Sequence, residues 1–487
     1  MAALLLACLL PVLAAAASSV TGGASAPKTA AAHHPSVPAG PIGHWEGGID
    51  LFGRELGMRV DIQRAGDSLS ATIDIPQQGA TQLPLNHVRA AGDSVHFELP
   101  SLAGLANFDG VQRGDSILGS FRQSGITTRF RLGRGAPRAV AQEDSVPYRR
   151  EAVRYANGTV SLAGTLTLPQ GRGPFAAVLL ITGSGQQDRD ETLLGFKPFK
   201  LIADRLTRDG IAVLRVDDRG VGGSTGDATH ATTQDFAGDV RAGVAYLKGR
   251  RDIDARHIGL LGHSEGGLIA PMVAADSKDV AFIVLLAGPG VPGDTLMIEQ
   301  GVLIARSQGA SDSVASSNAQ LQRLGFRAAR TNQNWEILHA AVLGTLRRTL
   351  AAQSAEAVKT GIDVEEFARS RADAQVAIFK SPWLRYFIDY DPAPTLARVT
   401  VPVLALFGEQ DLQVPAYLNR PPVERALTAN PDAKVLTIAD ANHLFQPTAS
   451  GNPALYGTLP KEFAPGVLDT LSIWVTAHAR VPARAAP

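Results

Sequence analysis

Only one cysteine, Cys8, occurs in the 487 residues. It lies within the first apolar stretch, so a chain trimmed beyond that stretch carries no disulfide. This leaves the compartment open, because an oxidising environment permits disulfides without requiring them. Excess charge of either sign is missing too: 46 Lys and Arg balance 46 Asp and Glu. No basic cluster disturbs the balance, and nucleic acid and anionic membrane surfaces are left without an electrostatic handle. No membrane span is expected either. The apolar run at residues 4–17, "LLLACLLPVLAAAA", falls short of the roughly 20 residues a spanning helix needs. Small residues, Ala15, Ala16, Ala17 and Ser18, end it, the pattern of a secretory signal cut near residue 17, with export to the periplasm or the exterior. A lysine at phosphate-binding-loop spacing is lacking after Gly183-Ser184-Gly185, which disfavours a nucleotide site. No metal and no cofactor is implied, and nothing fixes the oligomeric state.

Apolar residues, by contrast, are plentiful: 45% of the chain against 19% charged, enough at this length for about three structural pieces around sizeable cores. Residues 18–42 are rich in Ala, Ser, Pro and Gly and read as a disordered linker after the signal at 1–17. From residue 43 to 134 the pattern alternates, as at Leu56, Met58, Val60 and Ile62, or Val95, Phe97 and Leu99. That period belongs to half-buried antiparallel strands, and turn signals such as Ala65-Gly66-Asp67 separate them at short intervals. A small all-β domain is expected, a barrel or a sandwich, packed as an accessory unit or binding a ligand of its own. A charged linker at 135–148 joins it to a domain at 149–480 in which buried strands alternate with helical segments. Such alternation argues for an α/β fold with a mostly parallel sheet covered on both faces.

The second domain is organised around "HIGLLGHSEGG", residues 257–267. A short apolar run breaks at Gly262-His263-Ser264-Glu265-Gly266 before a helix-like segment, giving G-x-S-x-G between strand and helix. A turn this sharp holds the serine in strained backbone geometry and leaves no room for side chains two residues either side. A hydroxyl is a weak nucleophile at neutral pH, so Ser264 needs a base, and the base needs an acid to orient it. Both come downstream, each past a strand-like run: an acid in "VPVLALFGEQD", either Glu409 or Asp411, and His443 in "ADANHLF". His263, inside the turn, is expected to be a packing residue with its ring aimed away from Ser264.

Taken together, "LLITGSGQQDRD", "LRVDDRGVGGS", "GHSEGG", "VPVLALFGEQDLQVP" and "ANHLF" resemble the α/β-hydrolase superfamily, in the branch of bacterial carboxylesterases and serine aminopeptidase-like proteins. The resemblance covers about residues 149–480. It implies a triad of Ser264, Asp411 and His443 acting through an acyl-enzyme, with Asp411 preferred over Glu409. It also implies an oxyanion hole from the backbone N–H groups of Glu265 and Ser184, since acyl transfer places negative charge on the carbonyl oxygen. Asp218 and Arg219 are expected to pair and brace neighbouring loops.

Between the strands at 282–286 and 403–407 lie more than a hundred residues with apolar positions at helical spacing, too long for a loop. A helical cap over Ser264, about 289–395, is expected. Trp383, Tyr386 and Phe387 near its end are candidates for an acyl pocket or, equally, for cap core. The expected activity is carboxylic ester hydrolysis on a small molecule. A peptidase acting at peptide termini is the alternative, with Glu299, Glu336, Glu365 or Glu366 as an amine anchor, and a non-catalytic binding protein stands third.

Overall fold

The computed structural model describes residues 40–51, 54–66, 68–75, 80–99, 105–123, 126–136, 145–351 and 363–479. The expected signal, the linker up to residue 39 and the linker residues 137–144 lie outside them. Two compact units emerge: one holds the β domain and residues 343–374, the other residues 145–342 and 375–479.

In the first unit, the alternating segments form eight antiparallel strands: β1 (Gly43–Leu51), β2 (Arg54–Ala65), β3 (Ser68–Ile75), β4 (Ala80–Ala91), β5 (Ser94–Leu99), β6 (Ala106–Arg113), β7 (Ser116–Gln123) and β8 (Ile126–Arg134). Each pairs with the next, and β1 returns to β8 through Trp45↔Arg134 to Ile49↔Phe130, closing a barrel. Closure removes the unpaired edges that an open sheet would expose. Buried residues alternate along β5, where Val95, Phe97 and Leu99 are inside. Phe97, Phe108, Phe121 and Phe130, one from each of β5 to β8, meet ring to ring at centroid distances of 4.7 to 6.1 Å. An eight-stranded barrel is just wide enough for such side chains to fill.

The second unit is built on an eight-stranded sheet. A hairpin of β9 (Arg149–Asn157) and β10 (Val160–Leu168) leads to β11 (Phe175–Ile181), β12 (Ala212–Val216), β13 (Ile253–His263), β14 (Phe282–Leu286), β15 (Val403–Gly408) and β16 (Ala433–Ile438). Their spatial order is β16-β15-β14-β13-β11-β12-β10-β9, parallel from β16 through β12 and antiparallel at β10 and β9. Strands β14 and β15 are buried at every residue. Strands covered on both faces read as continuous apolar runs for this reason.

Helices follow the strands: α1 (Pro198–Arg208), α2 (Thr233–Lys248) and α3 (Gly266–Ala274). Helix α2 starts in a capping box, with the Thr232 hydroxyl accepting from Asp235 N–H and the Asp235 carboxylate accepting from Thr232 N–H, which satisfies two otherwise orphaned donors. Helix α3 is buried along its whole length, as its apolar sequence demands. The long insertion is helical: α4 (Gly293–Ser307), α5 (Asp312–Thr331), α6 (Trp335–Ala351), α7 (Val364–Lys380), α8 (Pro382–Asp389) and the short α9 (Ala393–Leu396), with residues 343–351 of α6 and 364–374 of α7 assigned to the first unit. Asn332 ends α5 in the left-handed region at φ 53°, where asparagine is better tolerated than most residues. Helices α10 (Ala416–Ala426) and α11 (Val467–His478) complete the unit. Among the described residues no helix is long and apolar enough to cross a membrane.

Candidate active site

Three loops at the carboxyl ends of β13, β15 and β16 carry the serine, the acid and the histidine. In a parallel sheet these ends share one side, so neighbouring strands deliver residues distant in sequence to one cleft. Ser264 follows β13 directly, with φ 53°, a conformation that costs a non-glycine residue on the order of 1–3 kcal/mol and persists only when its surroundings fix it. Its N–H donates to Leu286 O at the end of β14, 2.8 Å away. The flanking glycines are steric requirements. A Cβ on Gly262 would lie 2.0 Å from the Gly266 carbonyl oxygen, and one on Gly266 would lie 2.3 Å from that of Ile181.

Asp411, after β15, is buried, and each of its carboxylate oxygens has defined partners. Oδ1 accepts the N–H groups of Gln413 (2.7 Å) and Val414 (2.9 Å), and Oδ2 lies 2.8 Å from His443 Nδ1. Glu409, the rival acid, is exposed and accepts from Asp440 N–H at 3.1 Å. His443 sits in a loop held by Asn442, whose Oδ1 accepts from Leu444 and Gln446 N–H, both at 2.9 Å. Ser264 and His443 line one cleft together with Ser184, Gln187 and Glu191. Among the described residues no hydrogen bond joins Ser264 Oγ to His443.

Glu265, the residue after the serine, is 2% exposed. Its N–H makes no hydrogen bond among the described residues. Its carboxylate accepts from the Thr233 hydroxyl at 2.6 Å, from Trp383 Nε1 at 2.9 Å and from the Ser184 side chain. Burial pushes this carboxyl up, against the opposing effect of those donors. The Gly183-Ser184 loop is therefore tied to the serine turn through a side chain.

Of the three aromatic candidates, only Phe387 lines the cleft. Trp383 is a brace, its indole spent on Glu265 while its ring stacks on Phe387 at 5.1 Å. Tyr386 turns elsewhere, its hydroxyl donating to Gln234 Oε1 at 3.3 Å. The Asp218–Arg219 pair is a further correction. Arg219 forks onto Asp239 at 2.8 Å through two nitrogens, whereas Asp218 accepts from the Thr182 hydroxyl (2.7 Å) and Gln187 N–H (2.9 Å). Burial raises the Asp218 carboxyl well above its ordinary range.

Sequence reasoning missed a second polar pair beside the first. His263 is buried, its Nδ1 2.8 Å from Glu191 Oε1 and its Nε2 2.9 Å from the carbonyl oxygen of His443. The two imidazole rings lie 4.7 Å apart. Glu191 is 72 residues away in sequence, and no periodicity or spacing connects it to His263. The one available signal was the titratable residue directly before the serine.

Residues 178–451 match the model of the alpha/beta hydrolase family. Esterase EstD of Thermotoga maritima is 29% identical over 286 residues, which cover 58% of this chain and 58% of that protein. The chain thus spans less than two thirds of this curated relative's length. Among solved structures, an esterase of Pyrococcus furiosus is 15% identical with a TM-score of 0.42, covering 68% of this chain and 92% of that one. A dienelactone hydrolase from Anabaena variabilis is 17% identical with a TM-score of 0.38, covering 69% and 100%.

Proposed function

The chain belongs to the alpha/beta hydrolase family, and we propose that it cleaves carboxylic esters of small molecules through an acyl-enzyme formed on Ser264. The observation that carries this reading is the buried Asp411–His443 pair, 2.8 Å apart, opening on the cleft that Ser264 lines. His443 Nε2 takes the proton of Ser264 as its oxygen attacks the ester carbonyl. Asp411 holds the Nδ1–H tautomer, which leaves Nε2 free to accept. The N–H groups of Glu265 and Ser184 receive the negative charge that develops on the carbonyl oxygen, each worth on the order of 10²- to 10³-fold in rate. Departure of the alcohol leaves an ester on Ser264, and water repeats the sequence to release the acid.

The cleft's composition favours a neutral ester over a peptide terminus. Apolar side chains including Leu193, Leu296, Met297 and Val414 line it, with the carboxamides of Gln187, Gln300 and Gln413. Gln300 is 5% exposed and lines the cleft, so its amide is placed to bond a polar group of the substrate. Among the described residues the only acid in the lining is Glu191, whose Oε1 is engaged by His263 and Gly183 N–H. Among the described residues neither Lys nor Arg lines it, and none of Glu299, Glu336, Glu365 and Glu366 does. Glu299 accepts from Tyr417, and Glu365 is held by Arg347 and Arg369. Among the described residues the lining thus offers a free amine no solvent-exposed carboxylate, and an alkoxide also leaves more readily than an amine.

Specificity constants for p-nitrophenyl acetate and butyrate against amino-acid p-nitroanilides test the reading. The esters are expected to win, and Ser264→Ala should remove turnover by several orders of magnitude, on the order of a million-fold by analogy with subtilisin, with the fold intact. A larger constant for an anilide overturns the substrate class. Wild-type turnover in the alanine variant overturns the nucleophile.

A further inference from the structure

Three features converge on Glu191. It has φ 52°, in the left-handed region that costs a non-glycine residue energy. It is 3% exposed, and its Oε2 is buried with no hydrogen-bond partner among the described residues. Its Oε1 meets two groups at once, Gly183 N–H at 2.7 Å and His263 Nδ1 at 2.8 Å. A strained, buried and half-satisfied carboxylate is expensive, and the loop is built to hold it. Asp188 accepts from Asp190 and Thr192 N–H, and Arg189 clamps Asp217 through two nitrogens at 2.9 and 2.6 Å.

The protons can be counted. A carbonyl oxygen only accepts, so His263 Nε2, 2.9 Å from His443 O, carries a hydrogen. One further proton bridges His263 Nδ1 and Glu191 Oε1. Because Oε1 also receives an amide N–H, which stabilises a carboxylate, that proton belongs on the imidazole. Burial works against a charged His263, yet Glu191, the His443 carbonyl and Asp411 together hold its proton affinity above the ordinary histidine value.

We propose that Glu191 and His263 form a buried ion pair that positions the oxyanion loop and His443 for acyl transfer. One oxygen of Glu191 fixes the N–H of Gly183, which sets the direction of the next N–H, that of Ser184. The other end of the pair, His263 Nε2–H, fixes the backbone of His443. The nucleophile turn, the oxyanion loop and the general base are thereby joined by three hydrogen bonds. The proposal rests on the acyl-transfer reading for its function, but its chemistry is independent of any substrate.

The first test is nitrogen-15 NMR of the imidazoles at about pH 8, where an ordinary histidine is neutral, with the His263 signal assigned by its loss in His263→Gln. Both His263 nitrogens should be protonated in the wild type. A single protonated nitrogen, the signature of a neutral pair, overturns the ion pair. The second test is Glu191→Gln. Its amide cannot serve both partners: with its oxygen on Gly183 N–H it faces the lone pair of a neutral His263, and flipped it turns an NH₂ group toward the Gly183 N–H. A folded variant should lose about 10- to 100-fold in kcat with KM within about 3-fold, the pattern of a transition-state donor displaced slightly, and His263 should become neutral. Wild-type kcat in that variant overturns the positioning role. If the variant does not fold, the wild-type spectrum still decides the ion pair. A wild-type protein that cleaves no ester but shows a doubly protonated His263 sinks the acyl-transfer reading and spares the pair.

Discussion

Replacing Asp411 by Asn separates orientation from charge at the acid position. The side chain is buried, and Oδ1 accepts two backbone N–H groups, from Gln413 and Val414 at 2.7 and 2.9 Å. An asparagine keeps both only by placing its oxygen where Oδ1 was, which puts its NH₂ at the position of Oδ2, 2.8 Å from His443 Nδ1. That NH₂ donates, so His443 must accept at Nδ1 and carry its hydrogen on Nε2, the tautomer that cannot take a proton from Ser264. The flipped amide would restore the good tautomer but face an NH₂ toward two buried N–H groups. At about 1–3 kcal/mol for each unsatisfied donor, the flip costs about 2–6 kcal/mol, and with each 1.4 kcal/mol worth about tenfold, under roughly a tenth of the molecules adopt it. Asp411→Asn should therefore lower kcat for p-nitrophenyl butyrate by at least about 30-fold, and by about 10⁴-fold if the flip costs the full ~6 kcal/mol, the loss known for the same tautomer error in the serine protease triad, with little change in melting temperature. Glu409→Gln, at an exposed carboxylate, should change kcat by less than about 3-fold, within the small effects usual for such surface sites. A loss under about tenfold in Asp411→Asn, or the reverse ranking of the two variants, refutes the assignment.

Two further outcomes follow from the same geometry and from the amino terminus. Gly262→Ala places a Cβ 2.0 Å from the Gly266 carbonyl oxygen, a backbone atom that cannot swing aside. A stability loss above about 4 kcal/mol, seen as insoluble protein or a collapsed denaturation midpoint, is expected, and a wild-type midpoint would disprove the steric account. Export is proposed from the apolar run at residues 4–17 and the small residues that end it. Amino-terminal sequencing of protein from its native host should read from about Ser18, and an intact Met1 in the cytoplasmic fraction is the contrary result.

Strands of the sheet were legible because burial on both faces writes itself as a continuous apolar run, so Ala212–Val216 and Phe282–Leu286 could be bounded from sequence. The barrel was legible only as antiparallel strands. Alternation at Val95, Phe97 and Leu99 is the same in a sandwich, and what decides closure is the register of β1 against β8, contacts between residues 81 to 89 positions apart that local period does not encode. Helical spacing had the same limit in the cap. Trp383, Tyr386 and Phe387 share one face of α8 at i, i+3 and i+4, yet spacing does not say which neighbours that face meets. Trp383 reaches Glu265, Tyr386 reaches Gln234, and Phe387 alone turns to the cleft.

The pentapeptide itself shows why part of the site escaped. In G-x-S-x-G the glycines answer to local backbone sterics, which any sequence with this turn must meet, so they can be read from the motif. The two intervening positions answer to partners brought by the fold. Here they are His263 and Glu265, both buried and both polar, and neither is filler. His263 ties the turn to Glu191 and to the backbone of His443. Glu265 ties it to Thr233 at the start of α2, to Trp383 on α8 and to the Ser184 side chain. A buried carboxylate with these donors is costly to leave unpaired. Any shift of α8 that withdraws the Trp383 indole therefore acts on Glu265, whose own N–H is proposed to meet the oxyanion. Phe387, on the same helix, stacks on Trp383 and lines the cleft.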